Sequence, residues 1–435
     1  MSSVDLHLIT DETVVAGAST KRVPRRRLVA RLIVILTVVT WEALRTLVTV
    51  LALLVTKGRS RARKARYHGL VRGLQTLGPT FVKFGQISST RRDTMSAEMA
   101  EEMGTLHDAV KPMPWRKAEK ALDAARAAQP LLNPARIEHE PVASGSIACV
   151  YRAVLGDGTV VALKLKRPGI DERMRADLAL VQAITRLAQR MPQMKGMPMA
   201  DLVGYISRAI LGQLDFAREA RNVEALRRGV AAMPDVHIPV LHPGLSAPNC
   251  LVFEFLPDLD ARTPETLPPQ VRARLASAAL AAAHKLFFVD GFVHCDLHPG
   301  NLYLTRDGML VILDAGYCVQ LPPRVRDLIG EFFARMAAGD GRRCGEIVLE
   351  SAVNLTAETD TESFIAGMAE LVAKEAGPGR QFDMEVFGNA VFELEQKHGI
   401  YAASDFAFPL MSLLVLEGTV RGLWPEVDFQ RVGVA

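Results

Sequence analysis

The pattern of hydrophobic and polar positions divides the chain into four parts. A strongly apolar stretch covers residues 28–55, and helical patterns with short loops follow over 67–135. Two β-rich runs come next, at residues 150–154 and 160–165. From about residue 171 the pattern is mainly helical again. This order predicts an α+β protein whose small β-rich part lies between helical parts.

The two β-rich runs predict a hairpin. Gly156-Asp157-Gly158 separates them, and such a tripeptide is typical of a tight turn between antiparallel strands. A further short strand is predicted at residues 251–255, with Glu254 near its end. An Ala-rich helix is predicted over residues 273–289, and everything beyond residue 320 is predicted to be helical.

The apolar stretch is long enough to cross a bilayer, since about 20 apolar residues suffice. Glu42 and Arg45 lie near its centre, however. Each costs roughly 2.5–3.5 kcal/mol there, while each Leu, Ile or Val returns only about 0.3–0.6 kcal/mol. Basic blocks flank the stretch on both sides, at residues 21–27 and 57–66. The free energy of inserting this stretch as a transmembrane helix is therefore close to zero.

Helical spacing favours a helix that lies in the plane of a membrane surface. At about 100° per residue, Arg31, Glu42, Arg45, Thr49 and Thr56 share one narrow stripe. The basic blocks would then contact anionic headgroups. A true span and a helix packed on the protein itself remain alternatives.

Three polar groups at fixed spacing predict a phosphoryl-transfer loop. His294, Asp296 and Asn301 form the pattern H-x-D-x-x-x-x-N. Asp296 can position or deprotonate an attacking hydroxyl or water, and Asn301 can hold Mg²⁺. The same loop also resembles that of small-molecule kinases of the aminoglycoside and choline type. It therefore predicts ATP chemistry without naming the acceptor.

A second carboxylate follows a buried strand. Asp314 ends the apolar run at residues 310–313 and precedes Ala315-Gly316. A carboxylate at a strand end, followed by Gly, suits a Mg²⁺ ligand held close to phosphate oxygens. Alone, Asp-x-Gly is often a simple turn, but its place behind the previous motif makes it a candidate metal ligand.

The predicted phosphate anchor is Lys164, in the segment Val-Ala-Leu-Lys on the second β-rich run. Glu219 on a following helix is the candidate that would orient it. The loop before the first run carries small residues that allow close approach to phosphate. We therefore expect the cofactor-binding residues to be Lys164 together with Ala143, Ser144, Gly145, Ser146 and Glu254.

Composition and charge exclude several other classes of protein. The chain has 435 residues, 49% of them hydrophobic and 23% charged, so it can bury a large core. Its five cysteines are scattered without a CxxC pair, which indicates neither a disulfide framework nor a zinc site. The basic blocks flank an apolar helix without interleaved aromatic residues, so nucleic acid is not expected as a partner.

One further segment distinguishes among kinase-like families. Lys83-Phe84-Gly85-Gln86 resembles the K-x-G-Q motif of the UbiB/AarF atypical kinase family. The segments at residues 161–169 and 294–301 and Leu416-Glu417-Gly418 are also similar to that family. The resemblance covers roughly residues 65–425.

The resemblance implies a two-lobed protein-kinase-like fold with an N-terminal helical extension over the active site. It implies that Lys83 and Gln86 point into the nucleotide site and block peptide substrates. It implies an ATPase or small-molecule kinase that uses ATP and Mg²⁺ in ubiquinone or other prenyl-lipid biosynthesis, on the cytoplasmic face of a membrane. The implied partners are a membrane lipid or prenyl-lipid intermediate, and lipid-biosynthesis enzymes.

The sequence departs from the family pattern at Gln213, where the family's E-x-D motif carries a carboxylate. This departure, with the extension over the active site, keeps open a nucleotide-binding scaffold without turnover. The loop at residues 298–301 keeps open a soluble small-molecule phosphotransferase of secondary metabolism. The predicted organisation is a basic disordered tail (1–27), an apolar membrane-associated helix (28–56), the helical extension (57–135), the kinase-like N-lobe (136–258) and the helical C-lobe (259–435).

Overall fold

The structure is a computed structural model that describes residues 24–56, 58–89, 96–108, 110–191, 199–260, 263–298, 300–353, 355, 359–376 and 382–426. Most of the predicted disordered tail therefore lies outside the described residues. So do Lys57 of the second basic block, Pro299 of the predicted phosphoryl-transfer loop, and the end of the predicted C-lobe at residues 427–435.

The described residues before the first strand form five helices, the fourth of which continues into a short 3₁₀ turn at Thr105–Asp108. Gly78 separates the second from the third with a φ of 103°, and a Cβ there would lie 2.4 Å from an Arg173 nitrogen. A side chain at this corner would be strained and crowded. The helices are α1 (Arg25–Thr56), α2 (Arg59–Leu77), α3 (Pro79–Ser89), α4 (Ala97–Gly104) and α5 (Trp115–Ala128).

Helices α1 and α2 pack side by side as an antiparallel pair. Glu42 lies beside Gly73, whereas Thr46, further along α1, lies beside the earlier Gly69 of α2. A Cβ on Gly69 would lie only 2.0 Å from the Thr46 hydroxyl oxygen, so this glycine permits the close approach. Arg72 of α2 donates to Glu42 at 3.3 Å.

Short strands supply the β part of the fold. They are β1 (Arg136–Ile137), β2 (Ala143–Ser144), β3 (Ala148–Val154), β4 (Val160–Lys166), β5 (Val236–His237), β6 (Cys250–Glu254), β7 (Phe292–His294), β8 (Leu302–Leu304), β9 (Leu310–Ile312) and β10 (Cys318–Gln320). The N-lobe sheet is antiparallel in the order β1-β3-β4-β6, with β2 added on β3. Strands β5, β9 and β8 form a second sheet, and β7 pairs with β10.

Alternation along β4 decides which of its side chains face the cleft. Val161, Leu163 and Leu165 are fully buried and pack with α5. Because successive side chains of a strand point to opposite faces, Lys164 faces away from this core. The core of the N-lobe thus lies on one face of the sheet, and the side chain of Lys164 lies on the other.

The other helices surround the sheets. Their bounds are α6 (Ile170–Ala188), α7 (Met199–Gly212), α8 (Phe216–Gly229), α9 (Thr263–Thr266), α10 (Pro269–His284), α11 (Pro323–Ala337), α12 (Gly341–Ser351), α13 (Thr361–Glu375), α14 (Met384–His398) and α15 (Ser404–Leu423). A π-helical turn, Lys285–Val289, extends α10 to the end predicted for the Ala-rich helix. One large core unites the C-lobe helices with the short strands β7 to β9.

The predicted α+β, two-lobed, protein-kinase-like fold is confirmed. The hairpin of β3 and β4 and the strand β6 lie where the pattern predicts them. Beyond residue 320, where β10 has ended, the regular elements of the described chain are helices as expected, apart from an isolated bridge between Ala352 and Ala402. The predicted domain boundaries stay predictions, although α5, from the predicted extension, packs directly on the N-lobe sheet.

The polar stripe of α1 faces mainly the protein. Arg31 and Glu42 turn inward with Ile35 and Val50, while Arg45 remains exposed. The outer side carries twelve exposed large apolar residues: Val29, Ile33, Val34, Leu36, Val39, Trp41, Leu44, Leu47, Val48, Leu51, Leu54 and Val55. We call these residues the outer face of α1. The polar stripe therefore packs largely on the protein, whereas the opposite, apolar side is exposed, as the predicted membrane-associated helix requires.

Two helices are long and apolar enough to cross a membrane among the residues that the structure describes, namely α1 and α15. This criterion considers only the length and composition of a helix, and the buried core helices of soluble proteins also meet it. Over its most apolar part, α15 is 56% buried and belongs to the core, whereas α1 is only 11% buried.

A buried carboxylate joins α1 to the rest of the chain. Asp177 of α6 is fully buried and accepts hydrogen bonds from Arg31 of α1 and from the hydroxyl of Thr80 at 2.6 Å. Arg31 also donates to the carbonyl oxygen of Leu77 at 2.7 Å. Asp177 therefore links three helices, including α3, which carries Lys83.

We expect Asp177→Ala to lower the free energy of unfolding by about 3–5 kcal/mol, because the largely buried guanidinium of Arg31 would lose its counter-ion. Chemical denaturation of the full chain in mild detergent measures this change. The matched control is Glu172→Ala on the same helix, since the Arg27–Glu172 pair is exposed and should contribute at most about 1 kcal/mol. If both variants lost the same small amount of unfolding free energy, a structural role for Asp177 would be contradicted.

Candidate functional site

Lys164 is held between two carboxylates. Its ammonium donates to Glu219 of α8 at 2.6 Å and to Asp314 at 2.9 Å. These three predicted residues come from β4, from α8 and from the end of β9, so the fold brings them together across long stretches of chain. A lysine held in this way can bind phosphate oxygens on the cleft face of the N-lobe sheet, opposite its core.

Local capping places Glu219. Asp215 precedes α8 and its side chain accepts from the backbone N–H of Arg218 at 3.1 Å, which fixes the start of the helix. Glu219 lies in the first turn and is only 2% exposed. A single N-cap thereby sets the position of the carboxylate that holds Lys164.

Lys164, Glu219 and Asp314 form an ion triad, in which one ammonium lies between two carboxyl groups. Burial raises the pKa of Glu219 to about 7, although the neighbouring Lys164 opposes the shift. Burial also opposes ionisation of Asp314, but Lys164 outweighs it and holds the pKa of Asp314 well below its usual range. The two carboxylates raise the pKa of Lys164 despite its burial. Lys164 and Asp314 are therefore charged near neutral pH.

Asp314 adopts a strained backbone conformation. Its φ is 54°, which is uncommon for a residue with a side chain. Its carboxylate accepts from the N–H of Gly316 at 3.1 Å, and a Cβ on Gly316 would lie 2.9 Å from the same oxygen. The glycine of Asp-x-Gly is thus required to let the carboxylate turn back over the chain, and strain of this kind is concentrated at functional sites.

The loop after β7 presents Asp296 and Asn301. The amide nitrogen of Asn301 donates to the backbone oxygen of Asp296 at 2.9 Å, so the amide oxygen is left as its potential ligand atom. His294 is buried and lies 3.2 Å from the carbonyl oxygen of Leu313 and from the N–H of Asp296. Burial lowers the pKa of His294. The neutral ring therefore ties the Asp296 loop to the strand that ends at Asp314.

Lys83 of α3 reaches Asp296 from 213 positions away in the sequence, with 3.0 Å between its ammonium and the carboxylate. Burial disfavours the charged form of Asp296, but Lys83 and then His298 outweigh burial and lower its pKa. Gln86, one turn further along α3, donates to the backbone oxygen of Leu106 at 3.0 Å. Lys83 thus contacts the carboxylate of Asp296, whereas Gln86 ties α3 to the turn after α4.

The side chain of Arg167 holds the small-residue loop, residues 143–146, in place. Arg167 donates to the backbone oxygen of Gly145 at 3.0 Å, to the hydroxyl of Ser144 at 2.9 Å and to the backbone oxygen of Lys111 at 2.8 Å. Ser144 in turn donates to Val110. Sequence reasoning did not single out Arg167 as a site residue, and its charge alone gave no signal that it would clamp this loop.

A single cleft joins the predicted residues. One part, of about 340 Å³, is lined by Lys83, Gln86, Asp296 and all four predicted loop residues, Ala143 to Ser146. The adjoining part, of about 420 Å³, is largely apolar and is lined by Glu254 and the chain that follows β6. Lys164, Glu219, Asn301 and Asp314 line both parts. The cleft therefore has a polar end and an apolar end, which meet at the triad.

Glu254 lies at the apolar end, away from Asp296. Its carboxylate contacts the ring of His237, which was not predicted as a site residue. Gln213, noted in the sequence as a departure from the family, lines the polar end and is buried. Its side-chain amide donates to the carbonyl oxygen of Ala209, so the described contact is local to α7 and its end.

The donor set fits a hard cation. Among the described residues no cluster of three or more His, Cys, Asp or Glu side chains could hold a metal on its own. The predicted pair, Asn301 and Asp314, offers one amide and one carboxylate oxygen. Mg²⁺ is usually bound by one or two such protein ligands together with substrate phosphates and water. Asn301 and Asp314 are therefore compatible with a metal ion that is bound as a complex with a nucleotide.

Comparison with known proteins gives the family. Residues 105–348 match the ABC1 atypical kinase-like domain, which is more than half of the chain. The chain is 29% identical to a protein named "Probable protein kinase UbiB" from Pseudomonas paraeruginosa, over 82% of this chain and 68% of that one. It is 27% identical to a chloroplastic protein named "ACTIVITY OF BC1 COMPLEX KINASE 7" from Arabidopsis thaliana, over 86% of this chain and 54% of that one.

A solved structure supports the fold. The complex of Rv3197 with erythromycin from Mycobacterium tuberculosis matches with a TM-score of 0.51 at 19% identity, over 78% of this chain and 87% of that chain. At this identity the match concerns the fold alone. The family match and the UbiB relatives confirm the resemblance seen in the sequence: the chain belongs to the ABC1 atypical kinase-like family, which includes the UbiB/AarF proteins.

Proposed function

We propose that this chain is a Mg·ATP-dependent ATPase or small-molecule kinase. The observation that carries the proposal is Lys164, held between Glu219 and Asp314 where the polar and apolar ends of one cleft meet. The adenine would occupy the apolar end, beside the chain that follows β6. The phosphates would lie under the loop that Arg167 fixes, within reach of Lys164.

Mg²⁺ would be held by Asn301 and Asp314, and when bound it would neutralise phosphate charge. Lys164 would bind the phosphates, with Glu219 limiting the directions in which its ammonium can point. Asp296 would orient the attacking hydroxyl or water. Since Lys83 lowers the pKa of Asp296, this carboxylate is a weak base, and the proposed catalysis depends mainly on positioning and charge.

The acceptor in this proposal is small. Helix α3 places Lys83 against Asp296, where the backbone of a peptide substrate would otherwise approach. The proposed context is ubiquinone or other prenyl-lipid biosynthesis, supported by the UbiB relatives, with a prenyl-lipid intermediate and lipid-biosynthesis enzymes as partners. A nucleotide-binding scaffold without turnover is the second candidate, because the Lys83–Asp296 ion pair occupies the position where an acceptor would be oriented.

We further propose that the protein works on the cytoplasmic face of a membrane, where ATP is supplied. The outer face of α1 supports membrane contact, and α2 supports an in-plane arrangement. Because α2 runs antiparallel beside α1 and exposes Arg61, Arg63, Lys64 and Arg66, a span of α1 in this conformation would draw those charges into the hydrocarbon. On a surface, the same basic residues can reach anionic headgroups.

We expect Asp314→Asn to reduce release of γ-phosphate from Mg·ATP by at least about a hundredfold, because the metal and the phosphates would lose a fixed counter-charge. The assay uses the purified full chain with vesicles of anionic phospholipid. The matched control is Asp307→Asn, in the exposed turn between β8 and β9, which should keep the wild-type rate. Undiminished turnover in Asp314→Asn would refute the metal assignment. Tight ATP binding by the wild-type chain without any turnover would instead favour the scaffold.

We expect Leu47→Glu, in the outer face of α1, to weaken binding to anionic vesicles by about tenfold or more, since it places a charge where roughly 1.5–3 kcal/mol of apolar burial would otherwise form. Vesicle co-sedimentation measures the change. Leu187→Glu on α6 is the control, because Leu187 is 64% exposed but lies outside α1. Equal binding by both variants would show that the outer face of α1 does not enter the membrane.

A further inference from the structure

A second cavity lies behind α8, away from the triad. It measures about 570 Å³ and is lined by Lys166, Asp171, Arg175 and the first turn of α8, among other residues. Phe216 lines both this cavity and the polar end of the cleft, so its ring forms part of the wall between them. None of the predicted site residues lines this second cavity. We call it the rear cavity.

One cation in the rear cavity has no described partner. The guanidinium of Arg175 makes no side-chain hydrogen bond or ion pair with another residue in the described part of the chain. Lys166, in contrast, contacts the carbonyl oxygen of Leu214 and lies 3.4 Å from Asp171. The carboxylate of Asp215 is occupied by the N-cap of α8. The two cations and two carboxylates of the lining cancel in formal charge, but Lys166 is paired with Asp171 and the guanidinium of Arg175 is the cationic group whose donors are left for an anionic ligand.

Most of the remaining wall is apolar. It includes Leu211, Leu214, Leu241 and Leu251, together with the ring of Phe216. A volume of this size suits a drug-sized molecule. An anionic head at Arg175 and an apolar body against the leucines would satisfy both parts of the wall. The matching ligand class is a small amphipathic anion, such as an aliphatic or aromatic carboxylate.

The rear cavity contacts the residues that position Glu219. Leu214, Asp215 and Phe216 lead directly into α8, and all three line the cavity. The Phe216 ring lies 4.8 Å from the ammonium of Lys166 and 5.9 Å from that of Lys164. Lys164 and Lys166 are also two positions apart on β4, so they lie on the same face of the sheet. A ligand that moves Lys166 or the start of α8 would therefore alter the geometry around Lys164.

We propose that the rear cavity is a regulatory site for a small amphipathic anion, whose binding changes the affinity of the cleft for nucleotide through α8. The regulatory half of this inference rests on the proposed nucleotide function of the cleft. Binding of the anion to the rear cavity does not depend on that function, because it can be tested with no nucleotide present. Arg175 acts as the recognition residue, and the Leu214–Phe216 segment transmits the effect.

The binding experiment uses 4-phenylbutanoate as the probe and the neutral 4-phenylbutanamide as its uncharged analogue. Isothermal titration is performed on the full chain in lipid nanodiscs, with empty nanodiscs as the blank. We expect saturable binding of the carboxylate, weakened about tenfold in Arg175→Gln through loss of a charge-assisted hydrogen bond. Ala217→Phe, which fills the cavity from an exposed position on α8, should abolish binding. The amide should bind at least about tenfold more weakly than the carboxylate.

Two variants on α6 serve as matched controls. Arg186→Gln removes an exposed arginine and Ala183→Phe adds a ring at an exposed alanine, both outside the rear cavity. Both should bind the probe like the wild type. No saturable binding up to about 10 mM, or equal binding by all four variants, would overturn the proposal. Equal binding would place the probe elsewhere, for example on the outer face of α1.

The coupling is then measured with a non-hydrolysable Mg·ATP analogue. Saturating probe should change the affinity for this analogue by about fivefold or more, and the analogue should change the affinity for the probe by the same factor. Ala217→Phe should show neither effect. Probe binding without any change in nucleotide affinity would overturn the regulatory role. If the analogue does not bind in either condition, the proposed nucleotide function fails and the regulatory role fails with it, while the probe titration still reports on the site itself.

Discussion

The ion triad of Lys164, Glu219 and Asp314 is the constraint on which the site depends. Burial disfavours the charged form of an ammonium, and carboxylates at hydrogen-bond distance offset that cost. This condition ties together β4, the first turn of α8 and the end of β9, which belong to separate parts of the chain. The N-cap at Asp215 and the glycine after Asp314 are local devices that keep the two carboxylates in place. Much of the cleft geometry follows from meeting this one requirement.

The sequence predicted the parts of the site that depend on local spacing. Alternation along β4 puts Lys164 on the face opposite the N-lobe core, and a strand followed by Asp-x-Gly puts Asp314 at a strand end. The loop with Asp296 and Asn301 keeps its own geometry through a hydrogen bond spanning five residues. Each of these features is decided within one strand or turn. The order of the motifs along the chain and the period of the hydrophobic pattern were therefore enough to predict these features.

Features that depend on contacts between distant segments were not predictable in the same way. Helical periodicity showed which residues of α1 share a stripe, but it does not say whether water or protein faces that stripe. The stripe contacts α2 and α6 through Glu42 and Arg31, so the apolar side is left outside. Likewise, nothing near Arg167 in the sequence indicates that it binds the backbone of residues 111 and 145. The partners of a long cationic side chain are chosen by tertiary packing.

The pairing of Lys83 with Asp296 restricts the chemistry that this site can perform. A general base is most effective when its pKa lies near the working pH, and the ammonium of Lys83 moves the pKa of Asp296 in the opposite direction. The same ion pair must open, or share the carboxylate, before an acceptor hydroxyl can be oriented there. Lys83 is carried by α3, which Thr80 and Asp177 connect to α6 and thereby to Arg31 of α1. A contact made by α1 is therefore mechanically linked, through four side chains and one short helix, to the carboxylate of Asp296, which the proposed function assigns to positioning the acceptor.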